Sequence, residues 1–157
     1  MPRGRLVKEG EVERAVALAA MHAAPDGAVL VLVDADTDCP AQIGPTLLAR
    51  AQAAVRDCPL AVVLAKYEFE NWFLAAAESI RGHRGLSDDL MRPTDPESIE
   101  GAKGWLRHHM PRNRTYSETA DQPALTAVFD LAAARSVASF DKCWRDIAEL
   151  VHTICPR

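Results

Sequence analysis

Little in this chain can cross-link it or hold a soft metal. It has four cysteines, Cys39, Cys58, Cys143 and Cys155, and no two of them form a C-x-x-C pair. No Cys/His spacing matches a zinc site, and the adjacent His108 and His109 lack acid or cysteine partners at metal spacing. This spacing argues against a disulfide framework and structural zinc, and reduced thiols in a cytosolic protein are expected. No apolar run reaches the length of a membrane span and no signal-peptide pattern opens the chain, so the cytoplasm is the expected location, with no membrane contact. The chain also lacks a P-loop, a G-x-G-x-x-G and a G-x-S-x-G. Basic charge is not in excess. The net charge is −4, so only a local basic patch could hold a polyanion. There is no internal repeat and no low-complexity tract.

What is present describes one α/β domain. The 157 residues, 48% apolar and 25% charged, suffice to bury a core without covalent staples. Arg5–Lys8 reads as a short strand and Glu11–His22 as an amphipathic helix, with Val12, Ala15, Val16 and Ala19 at helical spacing. Ala24–Gly27 is a turn. Ala28–Val33 and Leu60–Ala65 are β-branched apolar runs of the kind buried on both faces of a parallel sheet. Helices are expected over Pro45–Arg56 and Glu68–Ile80. The alternation predicts a parallel sheet of about three strands with right-handed crossovers, over residues 1–80. A helical extension follows over 81–157. Asp95 is placed to cap a helix with Pro96 at its first position, and Gly101–His109 continues it. Pro123–Ala134 and Phe140–Ile154 are further amphipathic helices, the last with Ser139 as N-cap. Trp72, Phe129, Phe140 and Trp144 fall at helical spacing and read as core.

The chemistry concentrates at strand ends. Asp34, Asp36 and Asp38 follow the first long apolar strand, where ligands bind in parallel α/β sheets. If the strand continues, Asp34 and Asp36 share a face. Close carboxylates repel, and a cation or a retained proton relieves that repulsion. Oxygen-only donors favour magnesium, manganese or calcium over zinc. The competing reading is a solvated acidic turn that caps the next helix. Glu68 and Glu70 follow the second strand as a further metal ligand or a general base, or simply as acids that suit a helix's first turn. Lys66 could neutralise a phosphate or pair with an acid. Lys103 and Trp105 read as packing and surface charge, though Lys103 could face the same site. Two basic stretches, Arg81–Arg84 and Arg107–Arg114, could hold a phosphate backbone or form a solvated surface.

The run Asp34-Ala35-Asp36-Thr37-Asp38-Cys39-Pro40, then Leu64-Ala65-Lys66-Tyr67-Glu68-Phe69-Glu70-Asn71-Trp72-Phe73, resembles an uncharacterised bacterial family, domain of unknown function 4276. Asp95-Pro96-Glu97, Gly101–Leu106, Tyr116-Ser117-Glu118 and Ser139-Phe140 extend the resemblance over nearly the whole chain. That family is similar to Toprim domains of topoisomerases, primases and ATPase-linked nucleases. The resemblance implies a Toprim-like three-layer fold and a magnesium- or manganese-dependent nuclease or related phosphoryl-transfer activity on nucleic acid. It also implies an ATPase partner in a defence-type system. Asp34 and Asp36 match the Toprim Asp-x-Asp that holds magnesium, with Asp38 beside them. Glu68, Glu70 and Lys66 are the candidate catalytic groups. The alternative is a non-catalytic metal- or partner-binding module of such a system. Family members open with a strand and a Glu-Gly-x-x-Glu-like motif, which Glu9-Gly10-Glu11 imitates only superficially. The expectation is a chain shortened at its N-terminus, lacking that glutamate, with an exposed sheet edge through which copies self-associate.

Overall fold

The computed structural model describes residues 3–23 and 26–156. It divides into two compact units, Met1–Leu64 with Lys142–Arg157, and Ala65–Asp141.

In the first unit the order is α1 (Arg3–Leu6), α2 (Glu11–Ala23), β1 (Val29–Asp34), α3 (Pro40–Ala54) and β2 (Leu60–Ala65), whose last residue opens the second unit; α8 (Ala138–Ile154) returns the chain to the first. β1 and β2 pair in parallel, with the Val29 N–H donating to the Pro59 carbonyl at 2.8 Å. The described residues contain these two strands, so the expected sheet of about three is reduced to two. The core is built from helical i, i+4 positions and strand alternation: Val12 and Val16 of α2, Leu47 and Ala51 of α3, Val29 and Val33 of β1, Val62 and Leu64 of β2. Each fully buried Val or Leu contributes roughly 1.5–3 kcal/mol.

Arg5–Lys8 is not a strand. Arg3–Leu6 is helical, because Leu6 turns into the core (7% exposed) and Gly10, at φ 79°, lets the chain reverse into α2. Arg50 fixes that reversal. It grips Glu13 with two nitrogens at 2.7 and 2.9 Å and donates to the Val7 and Lys8 carbonyls at 3.0 and 2.7 Å. β1 is not buried on both faces either: Val29 and Val33 are buried, whereas Leu30 and Leu32 are 38% and 40% exposed. Only one face of this two-stranded sheet is fully covered at β1, so the strand alternates. The turn expected at Ala24–Gly27 begins outside the described residues. No helix among the described residues is long and apolar enough to cross a membrane.

The second unit holds α4 (Asn71–Ala75), α5 (Ala102–His108), α6 (Asp121–Thr126) and α7 (Leu131–Ala134), with 3-10 turns at Ala77–Ile80, His83–Gly85 and Pro96–Ser98. The helix expected over Glu68–Ile80 breaks at Ala76 into α4 and a 3-10 turn. From Glu70 to Ala77 every residue is buried, Trp72, Phe73 and Leu74 included, so packing from all sides rather than one amphipathic stripe sets its course. Phe73 meets Phe129 edge-on at 5.4 Å, and Trp72 meets Phe140 at 5.0 Å. Ser139 is not an N-cap. It lies inside α8 and accepts the Trp72 indole N–H at 2.8 Å, while Glu97 receives the first N–H groups of that helix, from Ala138 and Ser139, at 3.1 and 2.9 Å. The helix expected over Pro123–Ala134 is interrupted before Asp130, whose carboxylate caps α7 through the N–H groups of Ala132 and Ala133.

Candidate functional site

The Asp cluster lies where β1 ends. Asp34 is the last residue of the strand and is half-buried. The strand then stops: Ala35 is fully buried, Asp36 takes a left-handed conformation at φ 48°, and the Asp38 N–H closes a turn on the Ala35 carbonyl at 3.0 Å. The strand alternation that would align Asp34 with Asp36 therefore does not extend past Asp34. Asp tolerates the left-handed region better than most residues, which suits it to this turn. Asp36 and Asp38 are exposed, and α3 begins two residues later with Pro40 at its first position.

Among the described residues no group of three or more His, Cys, Asp or Glu is gathered as a metal site. Magnesium needs less than that. It binds through one or two carboxylates and keeps several waters. The hard oxygen donors of Asp34 and Asp36 fit such an ion in kind, and they do not furnish an all-protein cage.

The second unit gathers a different cluster around Glu70, which is fully buried. Its Oε1 accepts the Tyr116 hydroxyl at 2.8 Å and the Gln122 side-chain N–H at 3.0 Å, and its Oε2 lies 3.6 Å from the Lys103 ammonium. Lys103 also meets Glu68 at 3.2 Å and Glu118 at 3.3 Å. Glu68 receives the Lys103 backbone N–H at 3.1 Å and so pins the start of α5. The mutual repulsion of these acids is relieved from within, by one lysine. Burial opposes charge on Lys103, but Glu70 and then Glu68 outweigh it and hold the ammonium protonated well above the usual lysine range. Burial and then the Glu70 charge push the Tyr116 hydroxyl up as well, so it stays a neutral donor.

Asn71 organises the floor of this cluster. It is fully buried, donates to the Pro96 and Ile99 carbonyls at 2.8 Å each, and accepts the Glu68 N–H at 3.1 Å. An open cavity of about 360 Å³ adjoins the cluster, lined by Lys103, Arg107, Thr115, Tyr116, Glu118 and Thr119. Lys66 sits apart from the cluster's ion pairs, with its ammonium 4.0 Å over the Tyr67 ring. The two basic stretches meet at one acid. Buried Asp121 accepts from Arg84 and Arg114 at 2.8 Å each and from the Ser117 N–H at 2.9 Å.

Sequence reasoning did not assign roles to Asn71, Tyr116, Asp121 or Gln122. The one available signal was the Tyr116-Ser117-Glu118 run, polar and flanked by charge. Comparison with curated proteins and with solved structures finds no match. The sequence profile of one family matches residues 5–148, nearly the whole chain, and the chain belongs to that family, domain of unknown function (DUF4276).

Proposed function

We propose that this chain is a Toprim-like, magnesium-dependent phosphoryl-transfer domain acting on nucleic acid: a nuclease that works beside an ATPase in a defence-type system. The observation that supports it is the position of Asp34, closing an apolar parallel strand, with Asp36 carried on the left-handed turn that follows. Such a strand end is where parallel α/β sheets bind ligands. Asp34 and Asp36 would hold the magnesium, or manganese, with Asp38 as a further carboxylate. The bound ion supplies charge neutralisation at a phosphate and lowers the pKa of a water. In this reading Glu68 and Glu70 are the catalytic acids and Lys66 a cation for a phosphate. The same reading carries the three-layer Toprim arrangement.

A second reading, a non-catalytic metal- or partner-binding module of such a system, draws on the second-unit cluster. There Glu68 and Glu70 are engaged by Lys103, Tyr116 and Gln122, which is the satisfaction expected of structural acids. The test is cleavage of DNA and of RNA with magnesium, with manganese and with chelator, for the native chain and Asp34→Ala. Metal-dependent cleavage lost in the variant is the expected result, and equal activity in both chains sinks the nuclease reading. Calorimetric magnesium binding without cleavage, abolished by Asp34→Ala, selects the module instead.

A further inference from the structure

Four of the chain's 18 lysines and arginines and none of its 22 acids lie within residues 101–117, so this stretch is cationic in a chain of net charge −4. The second unit folds it against the other basic stretch, where the Ser87 N–H donates to the His109 carbonyl at 2.9 Å. An open cavity of about 500 Å³ lies at that junction, lined by Leu86, Ser87 and Asp88 from one segment and by His109, Met110 and Pro111 from the other. One ring of the lining is already fixed in place. His109 stacks on Trp105 with ring centroids 4.0 Å apart, and its Nδ1 donates to the Trp105 carbonyl at 2.8 Å. Most cations nearby are engaged: Arg84 and Arg114 share Asp121, and Lys103 meets its glutamates. Arg107 and Arg112 are exposed, and among the described residues neither makes an ion pair.

We propose that this junction binds single-stranded nucleic acid: one unstacked base enters the cavity against the His109 ring, and Arg107 and Arg112 hold phosphates of the same strand. The inference rests on the nucleic-acid reading above and adds which form is bound and where. The lining suits a base better than a bare phosphate. Leu86, Met110 and Pro111 are apolar, and His109 offers a ring that needs no further ordering on binding. Ser87 and Asp88 add polar groups for a base edge, and a carboxylate accepts from the amino group of cytosine. A duplex keeps its bases stacked and delivers one to such a cavity only by unpairing it. A single strand is spared that cost, and aromatic faces beside cations are how single strands are held. Two guanidiniums with no acid to neutralise them supply the sequence-independent attraction to phosphate.

The test is fluorescence anisotropy of the full chain titrated into a short labelled single strand of mixed sequence, and into the same strand as a duplex, with chelator present. Chelator separates binding from metal-dependent cleavage. The single strand is expected to bind at least about tenfold more tightly than the duplex, which must unpair a base. Arg107→Ala with Arg112→Ala removes two phosphate contacts, so the slope of log affinity against log salt becomes shallower by about 1.4. His109→Ala weakens binding by at least about fivefold with the slope retained, and His109→Phe, which keeps a stacking face, recovers it. Arg14→Ala with Arg56→Ala, an equal charge change on exposed residues of the first unit, keeps the native slope. Both arginine pairs are exposed, so these variants keep the fold. No binding of the single strand, tighter binding of the duplex, or equal slopes for the two arginine pairs overturns the proposal. Where magnesium-dependent cleavage survives such a result, the nuclease reading stands without this surface. Binding with the expected losses but without cleavage supports the surface and removes the nuclease.

Discussion

Replacing Lys103 by methionine tests whether one ammonium holds the Glu68–Glu70–Glu118 cluster together. Methionine keeps most of the aliphatic volume and removes the charge. The largest loss falls on Glu70, fully buried with its Oε2 3.6 Å from that ammonium. Breaking a buried pair by removing one partner costs about 3–5 kcal/mol. Lys103 is 29% exposed, and Glu118 is 61% exposed and contributes little. Glu70 also keeps its bonds from Tyr116 and Gln122. The net destabilisation is therefore placed at roughly 2–4 kcal/mol, which lowers Tm by about 6–12 °C in a chain of this size. Urea unfolding followed by circular dichroism reads the change directly. At pH 7 the buried carboxylate without its ammonium must stay charged or take up a proton, and acid supplies that proton. The gap between variant and native chain therefore narrows as pH falls toward 4. Adding Glu70→Gln to the variant recovers more than half of the loss, since the amide oxygen still accepts from Tyr116. A Lys103→Met chain within about 0.5 kcal/mol of native stability at pH 7 refutes the reasoning, because surface substitutions fall within that margin.

Asp121→Ala leaves Arg84 and Arg114 without their shared buried acceptor, and a loss of about 3 kcal/mol in chemical denaturation is expected. Burial raises the Asp121 pKa, but the bonds from Arg84, Ser117 and Arg114 outweigh it and hold the carboxyl below its usual 3.8. Its stabilisation is thus complete above about pH 4 and lost as pH falls through the lower folded value, so the native and variant curves converge only in strong acid. Ser139→Ala removes the acceptor of the buried Trp72 indole, which costs about 1–3 kcal/mol and shifts tryptophan fluorescence. Arg50→Ala removes four bonds that tie α3 to Glu13 and the Val7–Lys8 carbonyls, and amide exchange at Leu6–Val12 should accelerate by at least about tenfold.

The sequence by itself determined the parts whose cause is local. β-branched apolar runs made β1 and β2, helical spacing of Val12, Val16 and their neighbours made α2, and the acids of Asp34 to Asp38 fell at the strand end because polar residues cannot continue a buried strand. Tertiary structure decided whatever depended on partners distant in sequence. Arg3–Leu6 became helix once Leu6 had a core to enter. Leu30 and Leu32 stayed exposed because β1 is fully covered on only one face. The helix after Glu68 broke at Ala76 because burial on all sides erased the stripe that would have marked its length. Above all, the partners of Glu70 lie 46 and 52 residues away at Tyr116 and Gln122, and Lys103 lies 35 residues from Glu68. No period in the sequence links such positions. They meet because a buried carboxylate must find donors and a counter-charge, and only the folded chain brings those within reach.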